Sequence, residues 1–416
     1  MSLLLFNANQ ILTCKPDNGH FNRLESLQEI SLLNKYSVIV EDGIITEITK
    51  KISEKDFGKF DQVLDISSSA LLPGLIDAHT HLVFAGSREE EFEKRTKGLS
   101  YEDIARAGGG INTTVNATRA IGFDQLFSSS TKRLRESISY GITTIEIKSG
   151  YGLDTESEIK MLECIKKLNS LNLCDCRSTF LGAHTIPNEF KNNRTQFITL
   201  IIDEMLPKIS NLGLAEFCDI FTEKTAFSIE ETELILTAAK SLGYKLKLHC
   251  DQFNSIGGID LGIKMGVKSI DHLEMTTEED IQRISKTDIT AVLLPGVSYF
   301  LNIPYAPARK FIDSGAILVL ATDFNPGSCM TQNLPLIMNL AAIQMKMSIN
   351  ETINAVTINA AFSLGLERQV GSIEVGKQAD FLILNSPNYQ NLVYHFGTNQ
   401  TKYTIKKGKV VYERNN

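Results

Sequence analysis

Two histidines flank a single threonine in Asp77-Ala78-His79-Thr80-His81, shortly after Pro73-Gly74. Side chains two apart on extended backbone point to the same side, so His79 and His81 form a pair able to hold a metal ion. Two more residues of ligand type close apolar runs far downstream: His249 follows Lys245-Leu246-Lys247-Leu248, and Asp323 follows Leu318-Val319-Leu320-Ala321-Thr322. A carboxylate at the end of an apolar strand is costly unless a cation neutralises it. Three imidazoles and one carboxylate, with no thiolate, suit a catalytic centre for one divalent ion per chain, zinc (Zn²⁺) or iron (Fe²⁺, or its Fe³⁺ form). Such an ion lowers the pKa of a bound water towards about 7 and so makes a nucleophile at neutral pH. His272, closing Ile270-Asp271-His272, is the fifth candidate. It and Asp323 are expected to handle the water's proton together.

These five residues must converge, and the pattern of the chain says how. Apolar runs recur at 75–85, 141–148, 177–183, 216–222, 244–249, 267–273, 289–294 and 316–321. Between them, 156–171, 230–242, 278–284 and 306–313 carry apolar residues at helical spacing, as crossover helices do. Eight strands alternating with helices specify an α/β fold, a (β/α)₈ TIM-like barrel, whose functional residues sit at the C-terminal ends of the strands. His249 and His272 lie at the ends of their runs and Asp323 just beyond its own, while His79 and His81 lie within 75–85. The two ends of the chain read differently, as short strands at 3–6, 36–40, 44–48, 371–374, 379–384, 403–405 and 409–412, with Asp42-Gly43 and Lys407-Gly408 as hairpin turns. The expected organisation is a small discontinuous β-sandwich domain built from 1–70 and 369–416 on a barrel of 71–368.

Forty-two basic against forty-nine acidic residues give a net charge of −7, and no basic block dense enough to follow a phosphate backbone occurs. Nucleic acid is excluded as a partner, whereas a small anionic substrate is not, because one arginine at short range outweighs a mild overall field. Cys14, Cys164, Cys174, Cys176, Cys218, Cys250 and Cys329 are odd in number and contain no C-x-x-C pair, so they read as free thiols in a reducing compartment. The start MSLLLFNANQ has no basic region and only a short apolar run, too short for a signal peptide or a membrane span. A cytoplasmic protein with no membrane contact is expected.

The segment Pro73-Gly74-Leu75-Ile76-Asp77 before His79-Thr80-His81, His249 on the fifth run, His272 on the sixth, Asp323 on the eighth and the closing GSIEVGKQADFLIL together resemble the amidohydrolase superfamily over nearly the whole chain. Within it, HTHLVFAGSREEEF, GGGI, EIKSGYGL, FLGAHTIP and ATDFNPGS are similar to the imidazolonepropionases, cyclic-amide hydrolases of histidine breakdown. The resemblance implies the substrate 4-imidazolone-5-propanoate, opened by water to N-formimidoyl-L-glutamate. It also implies substrate contacts at Arg88, Tyr151, His184, Asn325, Gly327 and Ser328. Their chemistry agrees: Arg88 offers a bidentate clamp for the propanoate, Tyr151 a phenol on a flexible loop over the mouth, and His184 a hydrogen bond to the ring or the carboxylate. Asn325, Gly327 and Ser328 offer an amide, a backbone N–H and a hydroxyl for the product carboxylate. A homodimer is the possible assembly.

One departure matters. Some imidazolonepropionases carry glutamate three residues after the histidine that matches His249; here that position is Gln252, which cannot serve as a base. Gln252 is then expected to hydrogen-bond the ring, leaving proton transfer to Asp323 and His272, while Asp251 is expected to point to the opposite face by strand alternation. Some superfamily members bridge two metals with a carboxylated lysine on the fourth strand; Lys148 ends the second run, so a single ion is expected. A related deaminase or another cyclic amidase would share the metal ligands without needing Arg88 and Tyr151. A non-catalytic barrel scaffold would usually lack some of the ligands, all of which are present.

Overall fold

The computed structural model describes residues 1–99 and 109–414. The eight apolar runs form eight parallel strands in chain order, each paired with the next: Leu75–Asp77, Ile142–Lys148, Asp175–Ala183, Phe217–Thr222, Lys245–Cys250, Ser269–His272, Thr290–Leu293 and Ile317–Leu320. Every residue of the second, sixth, seventh and eighth strands is buried, as expected when helices cover one face and the barrel interior the other. The crossover helices begin at defined caps. Asp154 accepts the Ser157 N–H ahead of Thr155–Asn169, Ser228 and Glu231 form a capping box ahead of Ile229–Ser241, and Thr277 caps Glu278–Ile284. These caps satisfy otherwise orphaned N–H groups and fix where each helix leaves the strand layer.

The run 75–85 is not one long strand. The strand stops at Asp77, and 78–85 continue as buried irregular chain. Barrel closure explains this. The first and eighth strands are joined by a single bridge between Thr80 and Phe324, supported by Asp323 N–H to His79 O at 3.0 Å and His81 N–H to Phe324 O at 2.9 Å. The Asp77 carboxylate adds two bonds across the same seam, from Thr322 N–H at 3.0 Å and Thr322 Oγ1 at 2.6 Å. The stretch that carries the histidine pair therefore also closes the barrel.

Strands from both ends of the chain form a separate mixed sheet in the order Lys409–Glu413, Thr401–Lys406, Phe381–Leu384, Ala70–Pro73, Ser2–Leu12, Leu32–Glu41 and Ile44–Thr49, with Gln62–Asp65 parallel to Ser2–Leu12. Both hairpin turns take the left-handed pair of φ values that a type I′ turn requires, 48° and 82° at Asp42-Gly43 and 49° and 72° at Lys407-Gly408. The sheet has its own small core, which includes Leu5, Val38, Leu71, Phe381 and Ile405. The expected strand at 371–374 is absent; Gly371 has φ +88°, and a Cβ there would lie 2.7 Å from that of Ala361. No helix among the described residues is long and apolar enough to cross a membrane.

A chain of buried amides ties the N-terminal segment to the helices after the eighth strand. Asn359 accepts the Asn22 N–H at 2.8 Å and donates to Asn22 O and Leu318 O at 2.9 Å each, while Asn354 donates to Leu27 O and Glu29 O. Asn359→Ala would leave these buried groups unpaired, so it is expected to cost about 3 kcal/mol. A shifted urea midpoint at constant m-value would show it; an unchanged midpoint would mean that other partners replace the amide.

Candidate metal centre and the cavity above it

At the C-terminal mouth of the barrel, His79, His249 and His272 present ligand atoms that all lie within 4.8 Å of one another, as do those of His79, His81 and Asp323. Asp323 Oδ1 is 3.3 Å from both His79 Nε2 and His81 Nε2, without hydrogen-bond alignment. All five residues are buried. His79 Nε2, His81 Nδ1, both ring nitrogens of His249, His272 Nδ1 and Asp323 Oδ1 are buried without a hydrogen-bond partner among the described residues. His79 Nε2 and Asp323 Oδ1 are unpartnered where the groups meet, which is costly in a protein interior, and three imidazoles with a carboxylate are a donor set that fits a divalent cation. Backbone strain sits at the same place: φ is +87° at His272, +70° at Leu273 and +49° at Asp323.

Neighbouring charges and burial shift the titration of these groups. Burial alone would raise the Asp323 carboxyl, but the His79 and His81 imidazoles hold it well below the usual carboxylate range. At His79, burial and the Lys148 ammonium act downward, and the Asp271 and Asp323 carboxylates overcome both, raising it to about 9. His79 Nδ1 donates to Asp271 Oδ2 at 2.7 Å, which turns Nε2 toward the centre. His249 Nδ1 lies 2.9 Å from Asp219 Oδ2.

Beneath these carboxylates lies a charge cluster whose members come from four different strands. The Lys148 ammonium is fully buried and reaches Asp219 Oδ2 at 2.7 Å, Glu146 Oε1 at 2.9 Å and Asp271 Oδ2 at 3.5 Å. Burial pulls the Lys148 pKa down, and these three carboxylates more than restore it, raising it above the ordinary lysine value. Lys247 pairs with the other oxygen of Glu146. A signal was present: Glu146 and Lys148, and Lys247 and His249, are alternate residues of apolar strands, so each pair shares a face.

The cavity above the centre has a volume of about 290 Å³, suited to a small molecule. Every expected contact residue lines it, namely Arg88, Tyr151, His184, Gln252, Asn325, Gly327 and Ser328, together with His81, His249, His272 and Asp323; His79 lies beneath. Several details differ from expectation. Tyr151 is buried, and its turn is pinned: the Glu158 carboxylate accepts the N–H groups of Gly150, Gly152 and Leu153. A Cβ at Gly152 would clash with that loop anchor, 2.5 Å from the Glu158 nitrogen. The Gly327 N–H is already committed to Asn325 Oδ1 at 2.8 Å, so it is not offered to a product carboxylate. Gly327 is needed for space, because a Cβ there would come within 2.2 Å of an Arg88 terminal nitrogen.

Strand alternation does not decide the orientation of Asp251. The fifth strand ends at Cys250, and Asp251 has φ +57°. Asp251 nevertheless lies away from the cavity, where its carboxylate accepts the Thr276 hydroxyl at 3.2 Å. His184 Nδ1 lies 3.0 Å from Gly150 O, a carbonyl that can only accept, so Nδ1 carries the proton and Nε2 is an acceptor. Burial first, and the nearby His81 second, depress the His184 pKa to about 3, so the ring is neutral above that value. Of the GGGI segment, Gly108 lies outside the described residues, while Gly109 to Ile111 line the cavity.

Comparison with known proteins matches residues 70–411 to the Amidohydrolase family. The imidazolonepropionase of Clostridium tetani (strain Massachusetts / E88) is 43% identical, covering 99% of this chain and 99% of its own. That of Thermoanaerobacter pseudethanolicus is 45% identical, covering 97% and 96%. Among solved structures, E. coli guanine deaminase superposes with a TM-score of 0.74 at 14% identity over 100% of both chains. An adenosine deaminase from Xanthomonas campestris with bound zinc gives 0.71 at 18% identity, covering 98% and 92%. At such identities these structures speak for the fold alone.

Proposed function

The chain belongs to the amidohydrolase family, and from that membership we propose that it catalyses the imidazolonepropionase reaction, the hydrolysis of 4-imidazolone-5-propanoate to N-formimidoyl-L-glutamate in histidine degradation. The observation that carries this reading is the presence of a metal-type donor set and a buried arginine in one small cavity. His79, His81, His249 and Asp323 would hold one divalent ion, zinc or iron. When bound, it supplies Lewis acidity and a water of lowered pKa.

The chain's own groups do the rest. Asp323 turns Oδ1 toward the imidazoles, while Oδ2 lies near Ser328 Oγ at 3.4 Å, so one oxygen serves the centre and the other can take the attacking water's proton. His272, at the rim, faces the oxygen that gains charge and relays the proton to the departing ring nitrogen. His184 Nε2, an acceptor, reads a ring N–H, which selects the ring over the carboxylate as its partner. Gln252 contributes amide hydrogen bonds to the ring, and Arg88 with Ser328 receives the acid tail, while Asn325, whose Nδ2 donates to Asp323 O and Ser328 Oγ, holds Ser328 in place. A deaminase acting on aminopurines would have no use for the buried arginine.

The direct test is an ultraviolet assay of imidazolone propanoate beside other cyclic amides and aminopurines; preferential turnover of an aminopurine would sink the reading. Arg88→Ala is expected to raise KM for the propanoate substrate about 50-fold, a loss of roughly 2–3 kcal/mol, with kcat little changed. An unchanged KM would return Arg88 to a purely structural pair. The same proposal places the enzyme in the cytoplasm as a homodimer, testable by fractionation and sedimentation. It also keeps 1–70 with 369–416 and 71–368 as the two domains, testable by limited proteolysis.

A further inference from the structure

Arg88 occupies the N-cap position of helix Glu89–Thr96, at the mouth of the barrel, and its guanidinium is nearly fully buried. A buried guanidinium needs a fixed counter-charge. Glu91, one turn along the same helix, provides it: Arg88 Nε donates to Glu91 Oε2 at 2.7 Å, and an Arg88 terminal nitrogen lies 2.7 Å from the same oxygen. The other oxygen of Glu91 accepts the Gly110 N–H at 2.9 Å and the Thr113 hydroxyl at 3.1 Å. Gly110 is the N-cap of helix Ile111–Ala120, has φ +77° and carries no side chain to cap it. Glu91 satisfies the Gly110 N–H from another helix, placing negative charge where the helix dipole favours it. Gly110 and Ile111 line the substrate cavity, as does Gly327, against which the guanidinium rests; Glu91 does not.

From this arrangement we infer that Glu91 is the positioning residue for the acid-tail clamp: it fixes the Arg88 guanidinium against Gly327 and ties that position to the seating of the Gly110–Ile111 wall. The inference rests on the reading that Arg88 binds the substrate's carboxylate. Glu91 acts through Arg88 and the wall, not on the substrate itself. The consequence is selectivity for tail length, because one carboxylate sets the distance between the clamp and the metal-type centre.

Glu91→Asp tests position separately from charge. It keeps the carboxylate but withdraws it by one methylene, so it cannot reach both Arg88 and Gly110. KM and kcat would be measured on the propanoate substrate and on the same ring without the acid tail, together with bound metal. The expected result is a KM rise of about tenfold for the tailed substrate, kcat within about twofold, and unchanged metal content and unchanged turnover of the tail-less ring. In an Arg88→Ala background the same substitution should change KM by less than about twofold, because only the wall contact is left for it to disturb. Parallel losses on both substrates, an unchanged KM, or a fall in KM would overturn the inference, the last because Glu91 would then be competing with the substrate. Should Glu91→Asp fail to fold, Glu91→Gln, which keeps the length and removes the counter-charge of Arg88, is measured on the same two substrates and should likewise raise KM for the tailed one alone; failure of both to fold would make Glu91 a scaffold residue and overturn the inference too. If Arg88→Ala alone leaves the preference for the tailed substrate intact, the clamp reading fails with it. If Arg88→Ala abolishes that preference and Glu91→Asp does not, only the positioning role fails.

Discussion

His249→Ala is expected to reduce bound metal from about one equivalent per chain to less than about a tenth, and kcat/KM by about 10⁴-fold or more, as removal of one ligand from a catalytic centre should. Metal analysis after gel filtration reads the first and the ultraviolet assay the second. The substitution isolates the metal function because neither ring nitrogen of His249 makes a hydrogen bond in the described structure, so truncation strands few partners. Asp219, the carboxylate beside it, retains the Lys148 ammonium and the Ile220 N–H. Full metal retention in the variant would remove His249 from the ligand set. Two equivalents in the unsubstituted chain would instead defeat the single-ion reading.

The second large effect concerns stability. Lys148→Met should destabilise the fold by about 3–5 kcal/mol, the cost of removing one partner from a buried ion network. The geometry sets the sign. Glu146, Asp219 and Asp271 face Lys148 and Lys247; with Lys148 gone, three buried carboxylates share one ammonium. A hydrophobic side chain of similar length fills the volume but cannot donate. Asp271 and Asp219 stand behind His79 and His249, so metal affinity should also fall, by about 10–100-fold, the usual cost of disturbing groups that orient ligands. Denaturant titration and chelator competition measure the two separately. A denaturation midpoint equal to that of the unsubstituted chain would show that the cluster protonates or hydrates at little cost.

Much of this architecture can be read from the chain, because strand and burial signals coincide for seven of the eight barrel strands. They separate at 75–85. That run is apolar throughout, yet only Leu75–Asp77 is strand; the rest is buried loop whose carbonyls are met from elsewhere, such as Leu82 O and Phe84 O by Arg133. An apolar run reports burial, and burial alone does not specify a ladder. His249, His272 and Asp323 were legible because each falls at the end of an apolar run or just beyond it, and His79 and His81 because their spacing of two puts them on one side of the chain. Glu146, Asp219, Lys247 and Asp271 were not. Each lies within its strand, and only closure of the barrel brings four different strands together so that their charges meet. The expectation for Asp251 had the right outcome for a wrong reason, since alternation ends where φ turns positive. Tyr151 was expected on a flexible loop because glycines flank it, whereas Glu158, further along the chain, holds that turn from below.

The seam between the first and eighth strands gives the metal centre a mechanical meaning. Elsewhere neighbouring strands are paired by ladders of three or more residues, with irregularities at Leu75/Ile76 and Phe180/Ala183. At this joint the barrel wall is held by a handful of bonds made by the backbone of His79, Thr80, His81, Asp323 and Phe324 and by the Asp77 side chain. An ion held by His79, His81 and Asp323, as proposed above, would fasten the two edges across that joint, as a clasp closes a bracelet. Under the proposed metal binding, loading the site would also lock the barrel, and binding and folding would be linked at its sparsest joint.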